Sequence, residues 1–264
     1  MSKALLDTAI QAALLAGEKI MAIYNNEEID VQQKADDSPL TQADVASHHI
    51  ILEALAVTNI PVLSEEGRAI PYAERKHWEQ LWSVDPLDGA KEFIKRNGEF
   101  TVNIALIQNQ KPLMGVIYAP VLGDLYFSSA ALGAFKIHLK EHKADHIEVF
   151  IKQATALPVQ QTLPHYTVVA SRSHRNQATN DFISQLEHQH QKVATLAVGS
   201  SLKLCMVAEG KAHCYPRCAP TMEWDTAAGQ AICEAAGFQV LDWETQKPVL
   251  YNREVLTNGW FVVK

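Results

Sequence analysis

The sequence lacks any apolar run that approaches the roughly 20 residues needed to span a bilayer. Its first stretch carries acidic residues at Asp7 and Glu18 and shows no cleavage-site pattern, so nothing there marks the chain for export. We therefore expect a cytoplasmic protein without a transmembrane segment. These residues leave open a weak, peripheral association with the inner face of a membrane.

Cysteine is also scarce, with four residues in 264: Cys205, Cys214, Cys218 and Cys233. All four lie in the last quarter of the chain, a usage typical of a reducing compartment, and we expect free thiols. The stretch "HCYPRC" resembles half of a soft-metal site, but no second Cys/His pair follows at the spacing of a zinc finger. We therefore expect no structural zinc.

Positive charge is in short supply as well. The chain has 23 Lys and Arg residues against 30 Asp and Glu residues, a formal net charge of −7. A surface that binds nucleic acid needs a basic stripe, so we exclude a nucleic acid polymer as a partner. A small anionic substrate remains compatible with this charge, because divalent cations held by acidic side chains can make a negative protein a local phosphate receptor.

The first half of the chain predicts helices layered on an antiparallel sheet. Apolar residues at helical spacing predict helices over about 3–24 and 42–57, the second with Thr41 as its N-cap. Short apolar or alternating runs follow, "LWSV", "FTVNIALIQ", "PLMGVIYAP" and "GDLYFSS", separated by turn-forming stretches. This order is typical of an antiparallel meander.

The second half alternates between predicted strands and helices, an order typical of α/β proteins. The strands are "YTVVAS", "VATLAV", "AHCYP" and "FQVL", and the helices between them include 176–189, "SLKLCMVAEG" and "DTAAGQAICEAAG". A proline-containing polar stretch, "QATALPVQQTLP", separates the halves. We therefore expect an N-terminal α+β subdomain over 1–155 and a C-terminal α/β subdomain over 156–264.

Four acidic elements stand at predicted strand ends or turns: "SPLTQAD" with Asp44, "VLSEEG" with Glu65 and Glu66, "VDPLDG" with Asp85 and Asp88, and "EWDTAAG" with Asp225. Each has a purely structural explanation when it is taken singly. Asp225 could be a helix N-cap, Asp88 with Gly89 a turn, and the glutamates a solvated loop.

The stretch "VDPLDG" favours a metal site over these structural explanations. A buried strand is predicted to deliver Asp85 at its end, Pro86 fixes the next φ angle, and Asp88 turns back beside Asp85 with the Leu87 carbonyl as a third oxygen. Two carboxylates held so close repel each other unless a cation lies between them. Oxygen ligands without histidine or cysteine suit a hard ion, Mg²⁺ or alternatively Mn²⁺.

These motifs together resemble a known family over nearly the whole chain. "KADDSPLTQAD", "SEE", "DPLDG" and "WDTAAG" closely resemble the lithium-sensitive, magnesium-dependent inositol monophosphatase superfamily. "KEFIKRNGEFTVNIAL", "YAPVLGDLYF", "SRSH", "GSSLK" and "YPR" resemble its 3′(2′),5′-bisphosphate nucleotidase branch, which serves sulfate assimilation, whereas inositol phosphatases diverge after the "DG". The resemblance implies the layered αβαβα sandwich of the inositol monophosphatase/fructose-1,6-bisphosphatase type, and lithium inhibition.

The resemblance also implies a set of metal ligands for two or three Mg²⁺ ions: Glu65, Asp85, the Leu87 carbonyl, Asp88 and Asp225. All but Asp225 lie in the predicted N-terminal subdomain. Ions spaced as in two-metal phosphatases orient a water in line with phosphorus and neutralise the leaving oxygen, so no covalent phosphoenzyme is needed. In the family, the water is activated by the aspartate that matches Asp44, together with a threonine directly after "DPLDG"; Glu65 also belongs to this catalytic group.

That threonine is Ala90 in this chain. A methyl group can neither accept the proton of the water nor relay it, so one part of the water-activating apparatus is missing. Two explanations are open: a change engineered to trap substrate, or a natural departure in a slower or non-catalytic homologue. We predict that Ala90→Thr raises phosphatase activity at least tenfold.

The segment "TLAVGSSLK" presents backbone amides, two hydroxyls and a lysine where a predicted strand meets a helix, which favours an anion site over a plain serine-capped helix. By the resemblance, this segment holds the non-scissile 5′-phosphate, whereas residues after "DPLDG" lie near the reacting phosphate. The substrate-binding residues so implied are Gly89, Lys91, Glu92, Ser171, His174, Gly199, Ser200, Ser201, Lys203, Arg217 and Asp225. We assign no base contact to Tyr215 or Trp224, because aromatic residues are more often part of the core.

The expected activity is Mg²⁺-dependent removal of the 3′-phosphate of adenosine 3′,5′-bisphosphate, which gives AMP and phosphate, with the sulfated precursor as a second substrate. One alternative is an inositol- or sugar-phosphate phosphatase of the same superfamily. Another is a non-catalytic homologue that binds the nucleotide, which Ala90 motivates. The sequence does not decide between a monomer and a homodimer.

Overall fold

The computed structural model describes residues 2–26, 31–33, 39–140, 145–171 and 176–264. The helices are α1 (Ser2–Tyr24), α2 (Gln42–Ala56), α3 (Tyr72–Arg75), α4 (Ala90–Ile94), α5 (Ile147–Gln153), α6 (Gln177–Gln189), α7 (Leu202–Ala208) and α8 (Glu223–Ala235). The strands are β1 (Val31–Gln33), β2 (Pro39–Thr41), β3 (Val62–Ser64), β4 (Gln80–Asp88), β5 (Thr101–Gln108), β6 (Lys111–Ala119), β7 (Asp124–Ser129), β8 (Gly133–His138), β9 (Thr155–Leu157), β10 (Tyr166–Ser171), β11 (Val193–Val198), β12 (Tyr215–Arg217), β13 (Thr221–Met222), β14 (Val240–Asp242), β15 (Thr257–Asn258) and β16 (Phe261–Val263).

A seven-stranded sheet forms the centre of the first half, in the order β3-β4-β5-β6-β7-β8-β9. β3 runs parallel to β4, and every other neighbouring pair is antiparallel. The predicted meander is therefore confirmed in β4 to β7. Most residues of β4 and β5 are buried on both faces of the sheet, because helices cover both.

Helices α1 and α2 cover one face of this sheet. The predicted N-cap of α2 is confirmed, since the Thr41 side chain accepts a hydrogen bond from the Ala43 amide. α1 packs so closely on β6 that a Cβ at Gly17 would lie 2.3 Å from the Tyr118 ring. Only glycine therefore fits at this crossing.

Helix α8 from the second half covers the opposite face, and α7 packs beside it. A Cβ at Gly115 in β6 would lie 2.2 Å from the Ala228 carbonyl oxygen of α8, so helix and sheet approach at backbone distance. The parallel pair β10-β11 and the three-stranded sheet β12-β16-β14 lie beyond α7, with α6 outermost. This order of layers is the predicted αβαβα sandwich.

The predicted strands and helices of the second half are present, but their pairing is not uniformly parallel. β12 and β14 each pair antiparallel with β16, a strand that the sequence pattern did not predict. All three residues of β9 (Thr155–Leu157) pair with β8, so the large sheet extends two residues past the predicted subdomain boundary at 155, and that boundary stays a prediction.

The four cysteines are buried free thiols, as predicted. No helix within the described ranges is long and apolar enough to cross a membrane.

Candidate active site

A cleft of about 260 Å³ opens between the end of β4, the start of α4, the loop before α7 and the start of α8. Most residues predicted for the site line it: Asp44, Glu65, Asp85, Leu87, Asp88, Gly89, Ala90, Lys91, Glu92, Gly199, Ser200, Ser201, Lys203, Arg217 and Asp225. Of the two others, His174 lies outside the described residues, and Ser171 ends β10 but its side chain is not described. The acidic elements of four distant chain segments thus meet in one place.

The end of β4 differs in one respect from the prediction. Asp85 does not end the strand, because β4 continues to Asp88 with an irregularity between the two residues. Asp85 pairs across the sheet with Asn103 and Asp88 with Thr101. The Leu87 amide donates a 3.0 Å hydrogen bond to Asp85 Oδ1, which keeps the turn compact and brings the two carboxylates to one wall of the cleft.

Gly89 joins this strand to α4 and adopts a left-handed conformation, with φ of 98°. The position is crowded, since a Cβ there would lie 3.3 Å from both the Glu99 carbonyl oxygen and Ser200 Cβ. Glycine therefore serves both the turn and the close approach of the loop before α7. Ala90 follows as the first residue of α4; it is half-buried and lines the cleft.

Asp44 has a structural role and a place in the cleft at once. It is the third residue of α2, and its Oδ2 accepts hydrogen bonds from the Thr41 amide, at 2.8 Å, and from the Thr41 hydroxyl. This capping box fixes a carboxylate that is only 2% exposed. The next polar residue on the same helix face, Ser47, donates a 2.7 Å hydrogen bond to the Pro86 carbonyl, so α2 also anchors the turn that carries Asp85.

Asp225 lies in the first turn of α8 and accepts a 2.9 Å hydrogen bond from the Met222 amide. Met222, rather than Asp225, occupies the N-cap position, so the simple N-cap explanation for Asp225 is wrong. The carboxylate lines the cleft near Asp88, whose charge contributes to the shift of its pKa. It thereby adds an acidic group from the second half of the chain to those from the first.

Burial and mutual repulsion perturb these carboxyl groups. Burial, followed by the charges of Glu65 and Asp88, raises the pKa of Asp85 well above its ordinary value. Burial raises the pKa of Asp88 to about 6, with Lys203 opposing the shift, and raises the pKa of Asp225 to about 8, with the charge of Asp88 adding to it. Such a group of carboxylates is costly to ionise without a compensating cation.

The donor set tests whether a metal ion suits the site. No three Asp, Glu, His or Cys groups in the described part of the chain form a preassembled metal cage. Instead, cleft carboxylates accept hydrogen bonds from backbone amides, among them Asp88 Oδ2 from Ser201, at 2.5 Å. The chemistry nevertheless fits a hard divalent cation, because the wall offers carboxylate oxygens, without sulfur or imidazole, in a cluster whose raised pKa values a cation would lower.

Two cations face this acidic wall from the second half of the chain. Lys203 is 7% exposed, its Nζ donates to the Ser200 carbonyl at 2.5 Å, and burial lowers its pKa to about 8. Arg217 donates to the Pro220 carbonyl, and its buried Nε has no partner among the described residues. One cleft therefore combines an acidic wall, formed by Asp44, Glu65, Asp85, Asp88 and Asp225, with a basic wall, formed by Lys203 and Arg217.

Several lining residues were not predicted: Leu204, Thr221, Met222, Thr226 and Phe261. All five side chains are uncharged, so no pattern in the sequence singled them out, although Thr226 lies in "WDTAAG" and Leu204 directly follows "GSSLK". Tyr215 also contributes to the wall, whereas Trp224 packs in the core.

Comparisons with known proteins agree on one family. The sequence model of the inositol monophosphatase family matches residues 1–261. The 3′(2′),5′-bisphosphate nucleotidase CysQ of Shigella flexneri is 47% identical over 264 residues, which cover 98% of this chain and 99% of the relative. The CysQ protein of Haemophilus influenzae is 33% identical and is covered to 92%. The crystal structure of CysQ from Bacteroides thetaiotaomicron matches with a TM-score of 0.92 at 49% identity, over 99% of this chain and 97% of that one.

Proposed function

Because the chain belongs to the inositol monophosphatase family, whose enzymes are metal-dependent phosphatases, we propose that it is a 3′(2′),5′-bisphosphate nucleotidase. Its reaction is the hydrolysis of the 3′-phosphate of adenosine 3′,5′-bisphosphate to give AMP and phosphate. The observation that carries the proposal is the two-sided cleft, in which carboxylates face Lys203 and Arg217. A nucleotide with two phosphates suits such a cleft, since one phosphate can lie at each wall.

The acidic wall is proposed to hold two or three Mg²⁺ ions, with Mn²⁺ as an alternative. The residues that would hold them are Glu65, Asp85, the Leu87 carbonyl, Asp88 and Asp225. Bound ions of this kind supply positive charge to the phosphate and to the leaving oxygen and lower the pKa of water. The carboxylates make this possible because they are fixed by strand β4, helix α8 and their backbone hydrogen bonds.

The water-activating residues are proposed to be Asp44 and Glu65, next to Ala90. The capping box of α2 holds the Asp44 carboxylate in one orientation, which suits a group that must align a water molecule and accept its proton. Ala90 offers no hydroxyl at the start of α4 and cannot contribute to proton transfer. We therefore expect a reaction slower than that of a chain with threonine at this position.

The basic wall is proposed to bind the 5′-phosphate through Lys203, the hydroxyls of Ser200 and Ser201, and Arg217. Gly199 allows the loop before α7 to pack closely on Glu92 and Glu99, because a Cβ there would lie 3.0 Å from both Glu92 Cγ and the Glu99 carbonyl oxygen. Lys91 and Glu92 of α4 also line the cleft, and we propose that they lie near the reacting phosphate. Ser171 and His174 remain predicted contributors.

Phosphate release from adenosine 3′,5′-bisphosphate, measured with Mg²⁺ and with a chelator, tests this function against inositol 1-phosphate as a control. We expect metal-dependent turnover of the nucleotide and little turnover of the inositol phosphate. The reverse selectivity would identify a sugar- or inositol-phosphate phosphatase. Nucleotide binding without turnover, even after threonine is restored at position 90, would identify a nucleotide-binding homologue, the alternative that Ala90 motivates.

The sulfated precursor of the nucleotide is the second proposed substrate, which places the enzyme in sulfate assimilation. We further propose a cytoplasmic protein that acts as a monomer or homodimer, with the reaction carried by residues from both predicted subdomains.

A further inference from the structure

Two buried polar residues lie behind the cleft at the start of β5. Thr101 is 0% exposed and Asn103 is 1% exposed. They are the cross-strand partners of Asp88 and Asp85, and neither lines the cleft itself. Their side chains can therefore affect a ligand in the cleft only through other residues.

Both residues reach the loop of the basic wall. Thr101 Oγ1 lies 2.7 Å from Ser201 Oγ and 3.2 Å from Ser200 Oγ. Asn103 Oδ1 lies 3.0 Å from Thr101 Oγ1 and 2.8 Å from Ser201 Oγ. The loop is also joined to the acidic wall, since the Ser201 amide donates to Asp88. Four side chains thus form one closed hydrogen-bond network beneath the two walls.

The hydrogen atoms of this network can be counted. If Asn103 Oδ1 accepts from both Thr101 and Ser201, no hydrogen remains for the 2.7 Å contact between their hydroxyl oxygens. Asn103 Nδ2, meanwhile, is buried without a partner in the described part of the structure. Turning the Asn103 side-chain amide by 180° removes both the missing hydrogen and the unpaired N–H, because Nδ2 then donates to the hydroxyl oxygens of Thr101 and Ser201. The Asn103 carbonyl oxygen is then left unpaired, which is less costly than an unpaired N–H.

This orientation changes what the network offers to the cleft. Thr101, Ser200 and Ser201 together carry three hydroxyl hydrogens, and the two contacts between their oxygens use two of them. One hydrogen is left to donate outside the network. A phosphate, which at neutral pH accepts hydrogen bonds through its oxygens, is the kind of ligand that such a surplus donor suits.

The backbone of the loop depends on the same contacts. Ser200 has a φ of 43°, a left-handed conformation that is unfavourable for serine. A conformation of this kind persists where surrounding contacts fix it, and Thr101 provides such a contact to the Ser200 hydroxyl. The network therefore governs both the position of the loop and the direction of its hydroxyl donors.

We propose that Thr101 and Asn103 are positioning residues for the second phosphate of the substrate, which orient the Ser200 and Ser201 hydroxyls toward it. This role rests on the proposed function, because it assumes that the basic wall binds the 5′-phosphate. It predicts that loss of the Thr101 hydroxyl harms ligands that carry this phosphate and spares those that lack it.

The test compares Thr101→Val, which removes the hydroxyl but keeps the shape, with Thr101→Ser, which keeps the hydroxyl. Calorimetry measures the affinity for AMP, which carries only the 5′-phosphate. Kinetic assays compare adenosine 3′,5′-bisphosphate with 3′-AMP, which lacks the 5′-phosphate. We expect Thr101→Val to weaken AMP binding about tenfold and to raise KM for the bisphosphate, with kcat and the hydrolysis of 3′-AMP changed less than about twofold. Thr101→Ser, which keeps the hydroxyl, should bind AMP with an affinity close to that of the parent.

Thr167→Val is the matched control, because it removes a comparably buried hydroxyl on β10 that bonds only to the His165 carbonyl in the described structure. Unchanged AMP affinity in Thr101→Val would overturn the proposed role while leaving the nucleotidase function intact. Equal losses for 3′-AMP and the bisphosphate would also overturn it, since they indicate a general packing defect. A parent protein that turns over neither the bisphosphate nor 3′-AMP with Mg²⁺ would overturn the proposed function, and a parent that turns over the bisphosphate but binds no AMP would overturn only this role.

Discussion

The substitution Ala90→Thr adds one hydroxyl and one methyl group to the cleft wall at the start of α4. Ala90 is half-buried and lies beside Gly89 and Asp88. It packs against the hydrophobic core that α1 and α2 form with the large sheet. The first position of a helix tolerates threonine well, and even a helix interior would lose only about 0.7 kcal/mol. We therefore expect a folded protein with a nearly unchanged melting temperature.

The magnitude follows from the role of the added hydroxyl. A group that positions or relays the proton of a reacting water typically contributes about 10²–10⁴-fold to the rate. Asp44 lines the cleft, and its proposed role is that of proton acceptor, so the substitution would supply the second of two proposed partners. We expect the rate of phosphate release from adenosine 3′,5′-bisphosphate to rise at least about tenfold, with the gain in kcat rather than in KM.

Ala90→Val is the matched control, because valine has nearly the shape of threonine without its hydroxyl. Both variants are assayed beside the parent with Mg²⁺, with inositol 1-phosphate as the control substrate. A valine variant as fast as the threonine variant would assign the gain to packing. Equal rates for the parent and the threonine variant would refute the water-activating role of this position.

Three further predictions follow from the described contacts. Lys203→Met should weaken AMP binding at least about tenfold, and the AMP affinity of the parent should fall as pH rises through about 8, where Lys203 loses its charge. Calorimetry across that pH range would contradict this prediction if parent and variant had the same affinity and the same pH dependence. Asp225→Asn should raise the melting temperature measured at pH 8 in the presence of a chelator, because a raised pKa means that the ionised carboxylate destabilises the fold as pH increases toward about 8. The same variant should show a smaller rise of melting temperature when Mg²⁺ is added. An unchanged rise with Mg²⁺ in thermal denaturation would exclude Asp225 as a ligand. Gly115→Ala should lower the free energy of unfolding by about 1–3 kcal/mol in urea titrations, since the new Cβ would meet the Ala228 carbonyl, and a stable variant would show that α8 can move away from the sheet.

The motifs of the sequence predicted which acidic residues come together in the cleft, because these residues stand in short segments with recognisable turn chemistry. Pro86 between two aspartates, and Thr41 before Asp44, are local signals that need no tertiary contact. The exposed or buried state of these carboxylates was not predictable in the same way. It depends on α2 and α8, which come from distant parts of the chain and meet at the end of β4.

The sequence alone determined the elements and the chemistry of this protein: its helix starts, its meander, its oxygen-rich turns and the missing hydroxyl at Ala90. These features depend on residue type and short spacing, and those are properties of local chain segments. Only the tertiary structure decided that β4 continues to Asp88, that β16 joins the last sheet, and that Thr101 and Asn103 support Ser200 and Ser201 from behind. Those contacts join residues far apart in the chain. They form because α8 and the loop before α7 pack against the large sheet, which brings the two halves of the chain within hydrogen-bonding distance of each other.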